Sequence, residues 1–174
     1  QVKLLPDDEQ QAYLLQTLEQ ANALCNWLSE QAWELQKFRR FDLQAACYHA
    51  ARERSGLSAQ VVIRCLAKVA DAYKLDKRTR RSFKPHGAIA YDDRILSWQT
   101  NNRRVSIWSV GGRLNIPYQA GERQRELLAY RQGETDLVYR KGAFYLLAVC
   151  DIPDPDERDV DTALGVDLGV TNIA

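Results

Sequence analysis

Hydrophobic spacing changes near residue 85, and a fold of a single secondary-structure class cannot accommodate the change. Before it, apolar positions step by four and three: Leu14, Leu18, Ala21, Cys25, Leu28, Ala32 and Leu35. That rhythm draws one stripe along one face of a long helix. Pro6 and the acids Asp7, Asp8 and Glu9 lead into it, and Asp7 with Gln10 has capping-box spacing. Leu43, Cys47 and Ala50 predict a second helix that ends near Ser55-Gly56. Ser58 is the expected N-cap of a third, with Val62, Leu66, Val69 and Tyr73 as its buried stripe. Three helices with short connections make a small bundle. Val2 to Leu5 is read as a short strand ahead of it.

Past Pro85 and Gly87 the helical rhythm stops. Arg104 to Val110 is rich in Val, Ile and Trp, and Gly111-Gly112 separates it from Leu114-Asn115-Ile116-Pro117. A Gly-Gly pair between short apolar runs predicts a hairpin. Leu137 to Tyr139, the turn Arg140-Lys141-Gly142 and the run Ala143 to Cys150 predict a second, with a short helix over 122–130 between the two. Asp151 to Asp161 is acidic and carries Pro153 and Pro155, the composition of a linker. Strands that resume after a helical insertion imply an α+β chain: a small β-barrel interrupted by a bundle.

With 174 residues, 45% apolar and 27% charged, the chain can bury a real core as one domain or two small ones. No run approaches the roughly 20 apolar residues that span a bilayer, and no basic-then-apolar leader opens the chain. Both features argue against membrane residence and secretion. Cys25, Cys47, Cys65 and Cys150 are scattered, without a Cys-x-x-Cys pair. They are expected to be buried free thiols in a reducing, cytoplasmic compartment. The chain has no methionine and opens on Gln1, so a trimmed or processed start is expected.

The net charge of +1 hides an uneven distribution. Residues 1–70 hold 8 basic and 8 acidic side chains, residues 71–131 hold 13 and 6, and residues 132–174 hold 3 and 9. The densest basic run, Lys74 to Lys84, contains Lys77, Arg78, Arg80, Arg81 and Lys84. Arg103, Arg104 and Arg113 flank the first predicted hairpin. These residues read either as a solvated helix end that complements the helix dipole or as a phosphate-contacting strip. Tyr91, Trp98, Trp108 and Tyr118 are interleaved with them, as bases to stack on or as barrel core. His49 lies two positions from Cys47 on a helix, facing another way, and His86 sits at a Pro-Gly turn; both are expected to be structural.

Ala163 to Ala174 is an apolar strand with one carboxylate, Asp167, in its middle. Burying such a group alone costs several kcal/mol, so it calls for a partner or a metal, or caps a neighbouring turn. Gly165 and Gly169 leave room for a ligand or a backbone to approach. The stretch Gly165-Val166-Asp167-Leu168-Gly169-Val170-Thr171-Asn172 resembles the first strand of the RNase H-like fold, whose central Asp ligates magnesium. It also resembles the first phosphate loop of the actin-like ATPases. That loop, however, usually has Thr where Val170 stands, and it opens its domain.

The remainder of the chain is similar to the N-terminal half of the transposon-encoded TnpB (OrfB) proteins, relatives of the type V CRISPR effector nucleases. The similarity touches Lys3 to Gln10, Asn26 within Cys25-Asn26-Trp27-Leu28, Ala70-Asp71-Ala72-Tyr73-Lys74, Gly112 to Pro117 and Phe144 to Val149, in the family's order. It implies a wedge-type, OB-like barrel from residues 1–6 and 85–152, with a helical recognition domain, 7–84, inserted. A linker, 153–161, and the opening of a RuvC-like nuclease domain, 162–174, would follow. It further implies a guide RNA and target DNA as partners, magnesium as cofactor, and Asp167 as a catalytic metal ligand. The family's second and third carboxylates and its zinc ribbon would lie beyond Ala174, so this chain is expected to be inactive alone. A nucleic-acid-binding module without chemistry and an actin-like ATPase are the alternatives.

Overall fold

In the computed structural model, which describes residues 1–154, the first strand is the middle of the sheet. β1 (Val2–Leu4) pairs antiparallel with both β5 (Gly112–Gln119) and β7 (Ala143–Cys150). Beyond β7 lie β6 (Arg131–Arg140) and β2 (Ile89–Tyr91); beyond β5 lie β4 (Arg104–Ser109) and β3 (Leu96–Gln99). The strand order is therefore β2-β6-β7-β1-β5-β4-β3, seven strands and all pairings antiparallel. Its two edge strands, β2 and β3, are neighbours in sequence, joined by the turn at Asp92 to Ile95. The Trp108 N–H bond to the Ile95 carbonyl (2.8 Å) extends the β3–β4 ladder into that turn, and the Tyr91 hydroxyl donates to the Trp108 carbonyl (3.1 Å), tying β2 to β4 beside the opposite edge. The sheet thus curls into a nearly closed barrel, compatible with an OB-like barrel, and the chain is α+β.

The helices interrupt this sheet after its central strand. α1 (Asp8–Glu34) starts at Asp7, whose carboxylate accepts from the Gln10 N–H at 2.8 Å while the Gln10 side chain accepts from the Asp7 N–H. α2 (Arg40–Ser55) and α3 (Ala59–Leu75) complete the bundle, with Ser58 capping Val61 as expected. α4 (Glu122–Leu128) is the short helix between the hairpins. Among the described residues no helix is long and apolar enough to cross a membrane.

The apolar stripe of α1 is buried from Leu14 to Ala32, but Leu35 is about half exposed because the helix ends at Glu34. On α2 the third buried position is Ala51, not Ala50: the helix continues at a four-residue step from Cys47. Cys25, Cys47 and Cys65 are buried thiols, while Cys150 is only half-buried at the end of β7. Sequence reasoning missed β2 and β3, which at three and four residues are too short to display a period. It also began β6 too late: Gly133, at φ 68°, lies within a register shift that hides the strand's first residues.

Bundle and barrel share one core, and polar groups of α1 lock them together. The Thr17 hydroxyl, fully buried, accepts from the Val110 N–H at 3.0 Å and donates to the Tyr13 carbonyl. Next to it, Gly111 lies against Tyr13 so closely that a Cβ there would meet the ring at 2.5 Å. Asn22, also fully buried, donates to the carbonyls of Leu18, Pro85 and Gly87 and accepts from Lys68 Nζ at 2.6 Å. Replacing Asn22 with Ala leaves two distant carbonyls without their partner and the Lys68 ammonium with only the Ala88 carbonyl. The expected loss is about 2–3 kcal/mol, read as a lower urea midpoint with an unchanged slope. A midpoint equal to that of the parent chain would contradict this account.

Candidate nucleic-acid interface

Residues 76–87 leave α3 and return to the sheet as an extended strap laid antiparallel along α1. Three α1 side chains spaced four and three apart hold it. The Ser29 hydroxyl donates to the Arg81 carbonyl at 2.6 Å. The Asn26 side chain clamps Phe83 at two points, donating to its carbonyl at 2.9 Å and accepting from its N–H at 2.7 Å. Asn22 takes the Pro85 and Gly87 carbonyls. The buried Tyr73 hydroxyl donates to the Ser29 carbonyl and accepts from the Arg81 N–H. Lys68 sits 5.1 Å over the Phe83 ring. A segment without regular secondary structure is therefore fixed nearly as firmly as a strand in a sheet.

The basic residues of this strap divide into two groups. Arg81 is structural: its guanidinium donates to the Asp76 carbonyl at 2.8 and 3.0 Å and pairs with the Asp76 carboxylate at 2.7 Å. Lys77, Arg78, Arg80 and Lys84 are exposed. Arg78 touches Asp76 and Arg80 touches Glu30 at 3.2 Å, but both pairs are solvent-facing, and such pairs contribute little. Lys77 and Lys84 have no ion-pair partner among the described residues. The strap thus presents Lys84 within its pinned stretch, 81–87, and Lys77, Arg78 and Arg80 on the turn that leads into it, which Arg81 ties down through Asp76.

Arg104 and Arg113 belong to a different surface, the outer face of the β3–β4–β5 ribbon, and Arg103 lies in the turn that enters β4. Arg103, exposed, holds the left-handed position (φ 50°) after the single helical turn Thr100–Asn102. Arg104 donates to the Asn115 carbonyl at 2.6 Å, and Arg113 to the Ser106 hydroxyl at 3.0 Å and the Arg94 carbonyl at 2.8 Å. Trp108 stands directly across from Arg113 on this outer face, because the inward positions of β4 are Val105, Ile107 and Ser109. Of the four interleaved aromatics, Tyr91 and Tyr118 are buried, and Trp98 packs edge-on against Tyr118 at 5.4 Å. Burial pushes both tyrosine hydroxyls up, which keeps them neutral. Trp108 is the one of the four that shares an outer face with the arginines.

His86 lies at the foot of the strap, with Nε2 2.9 Å from Glu19 and its ring edge-on to Tyr139. His49 is exposed on α2 beside Tyr48. Asp167, the linker from 155 onward and the expected nuclease strand lie outside the described residues. Among the described residues no cluster of three His, Cys, Asp or Glu side chains is placed to hold a metal.

Sequence reasoning passed over Asn22 and Ser29, and it noted Asn26 only through the family resemblance. The signal was present: Asn22, Asn26 and Ser29 repeat the four-three step one position after Ala21, Cys25 and Leu28. A row of small polar side chains beside an apolar stripe marks a helix edge that receives another backbone. No protein-family model matches the chain, and no curated protein matches it in sequence.

The strap's first turn can be followed by titration. The Arg78 N–H, then the Arg78 side chain and Arg81, hold the Asp76 carboxyl below its ordinary range. A depressed carboxyl contributes stability at pH values above its unfolded-state pKa, and that contribution disappears as pH falls through the folded-state pKa. Carbon-detected NMR should show Asp76 titrating below the ordinary aspartate range, and Arg78→Ala, which removes the larger side-chain cause, should move it part of the way back. An unmoved midpoint in that variant would remove the Arg78 side chain from the turn.

Proposed function

We propose that this chain is a nucleic-acid-binding unit that holds a structured RNA, as the N-terminal portion of an RNA-guided, magnesium-dependent DNA endonuclease of the TnpB type. The observation that carries the reading is the pinned strap. Flexible surface lysines pay an ordering cost when they meet phosphates, whereas cations on a fixed backbone are already in register. Lys77, Arg78, Arg80 and Lys84 would track a phosphate backbone along α1. The ribbon would add Arg103 and Arg104 at one end of β4 and, across from Trp108 at the other, Arg113, with the exposed part of the half-buried indole offered to an unstacked base. In this reading a guide RNA and the target DNA are the partners. Asp167 would hold magnesium, which supplies activated water and stabilises the leaving oxygen.

Salt tests the electrostatic half of the proposal. Affinity for a structured RNA should fall steeply between low and physiological salt, because each neutralised phosphate releases condensed counterion. Lys77→Glu, Lys84→Glu or Arg103→Glu should each flatten the slope of log K against log salt by about one, with similar losses for unrelated sequences. Arg81 is unsuited to this test, since its reversal would disturb the strap itself. A slope near zero, or no binding at low salt, would refute the reading.

The chemical half is tested in the longer protein that the reading implies. There, Asp167→Ala should abolish magnesium-dependent cleavage and leave RNA affinity near normal. Cleavage at the parent rate would remove Asp167 from the site. A longer protein that binds RNA but never cuts would instead be the binding module without chemistry.

A further inference from the structure

Three successive faces of α1 do three different things. Ala21, Cys25 and Leu28 face the core; Asn22, Asn26 and Ser29, one residue on, hold the strap. Ala23, Trp27 and Glu30, one residue further, floor a groove between the end of α2 and the strap. Two open pockets of about 350 and 460 Å³ adjoin here, with Ala23 and Arg54 lining both. One wall of the groove is Arg54 of α2, whose guanidinium lies over the half-buried, core-packed Trp27 ring, 5.5 Å from its centroid, so the stacking surface offered is the guanidinium-capped indole and its exposed edge. The other is Arg80 of the strap, held only by its exposed pair with Glu30.

We infer that this groove seats one unpaired nucleotide of a bound single strand, with the base against Trp27 and Arg54 and the phosphate on Arg80. The inference rests on the proposed nucleic-acid binding and adds to it the subsite that senses bases. Four features favour that ligand. The indole and the guanidinium are the two flat protein groups that stack on bases irrespective of sequence. Arg54 has no carboxylate partner among the described residues, so its charge is available to an anion. Ala23 keeps the floor low between Gln20 and Trp27, where a larger side chain would fill the slot. Finally, Arg80 belongs to the cationic row, so a strand tracking Lys77 to Lys84 passes the mouth of the groove.

The test compares strands with and without bases on the full chain. Oligouridylate, oligodeoxythymidylate and an abasic oligomer of equal length, each about ten nucleotides, are titrated by fluorescence anisotropy at one low salt concentration. Base-bearing strands should bind about tenfold more tightly than the abasic one. Trp27→Ala should erase most of that ratio while leaving the abasic affinity and the salt slope unchanged. Ala23→Leu, an exposed position that accepts a helix-forming side chain, should do the same by filling the floor, so the result does not depend on how Trp27→Ala folds. Arg80→Ala should weaken all three strands. Equal losses with RNA and DNA assign the groove to the shared base and phosphate; a loss confined to one of them names that strand as its occupant. If both variants keep the base-to-abasic ratio in a chain that still binds, the groove is not a base subsite. If no single strand binds at low salt while a structured RNA does, the groove is not a nucleotide subsite and the proposed function stands; if the structured RNA fails to bind as well, the proposed function fails, and this inference with it.

Discussion

Hydrogen bonds from the two flanks of the apolar stripe of α1 to backbone far along the chain hold this molecule together. Thr17, Asn22 and Ser29 are fully buried polar side chains on that helix, and an unpartnered group in such a place costs about 1–3 kcal/mol. Their partners come from Val110, from Pro85 and Gly87, and from Arg81. These lie 52 to 93 residues away, so the helix is satisfied only when the strap and the β4–β5 turn are in place. Bundle and barrel therefore fold as partners. The short β1, set between β5 and β7 before the helices begin, adds a covalent tie to the same arrangement.

The same bonds shape the electrostatic surface. Pinning residues 81–87 places Arg81 and Lys84, and the bonds of Arg81 to Asp76 tie down the turn that carries Lys77, Arg78 and Arg80. Arg81 is drawn back onto Asp76, while Lys77, Arg78, Arg80 and Lys84 stay outside. Arg64 shows the opposite use of a cation. It is 12% exposed, paired with Asp92 at 3.1 Å and with Glu134, and joins α3 to the β2–β3 turn and to β6. Arg64 and Arg81 are thus fasteners, and both are less exposed than the strap cations Arg78 and Arg80.

Much of the local structure was legible because its causes are local. The Asp7–Gln10 capping box, the Ser58 cap, the stripe of α3 and the Lys141-Gly142 turn of the second hairpin each depend on residues within a few positions of one another. Legibility failed where the cause was distant or the element very short. β2 and β3 exist because β6 and β4 pair with them, not because of their own pattern. Tyr118 became core and Trp108 outer face through the register of β4 against β5, which leaves residues one apart on opposite sides.

By itself the sequence determined that a helical bundle interrupts a set of antiparallel hairpins, and that positive charge concentrates in the middle of the chain. Periodicity, capping and turn chemistry act over a few residues, so they can be read without knowing the fold. Only the tertiary structure decided that the basic run is a strap pinned to α1, that Arg81 is a fastener, and that Ala23, Trp27 and Arg54 line one groove. Those outcomes depend on hydrogen bonds and packing between residues dozens of positions apart. Burial, which sets whether a side chain can meet a phosphate, is a property of the folded surface and not of the chain.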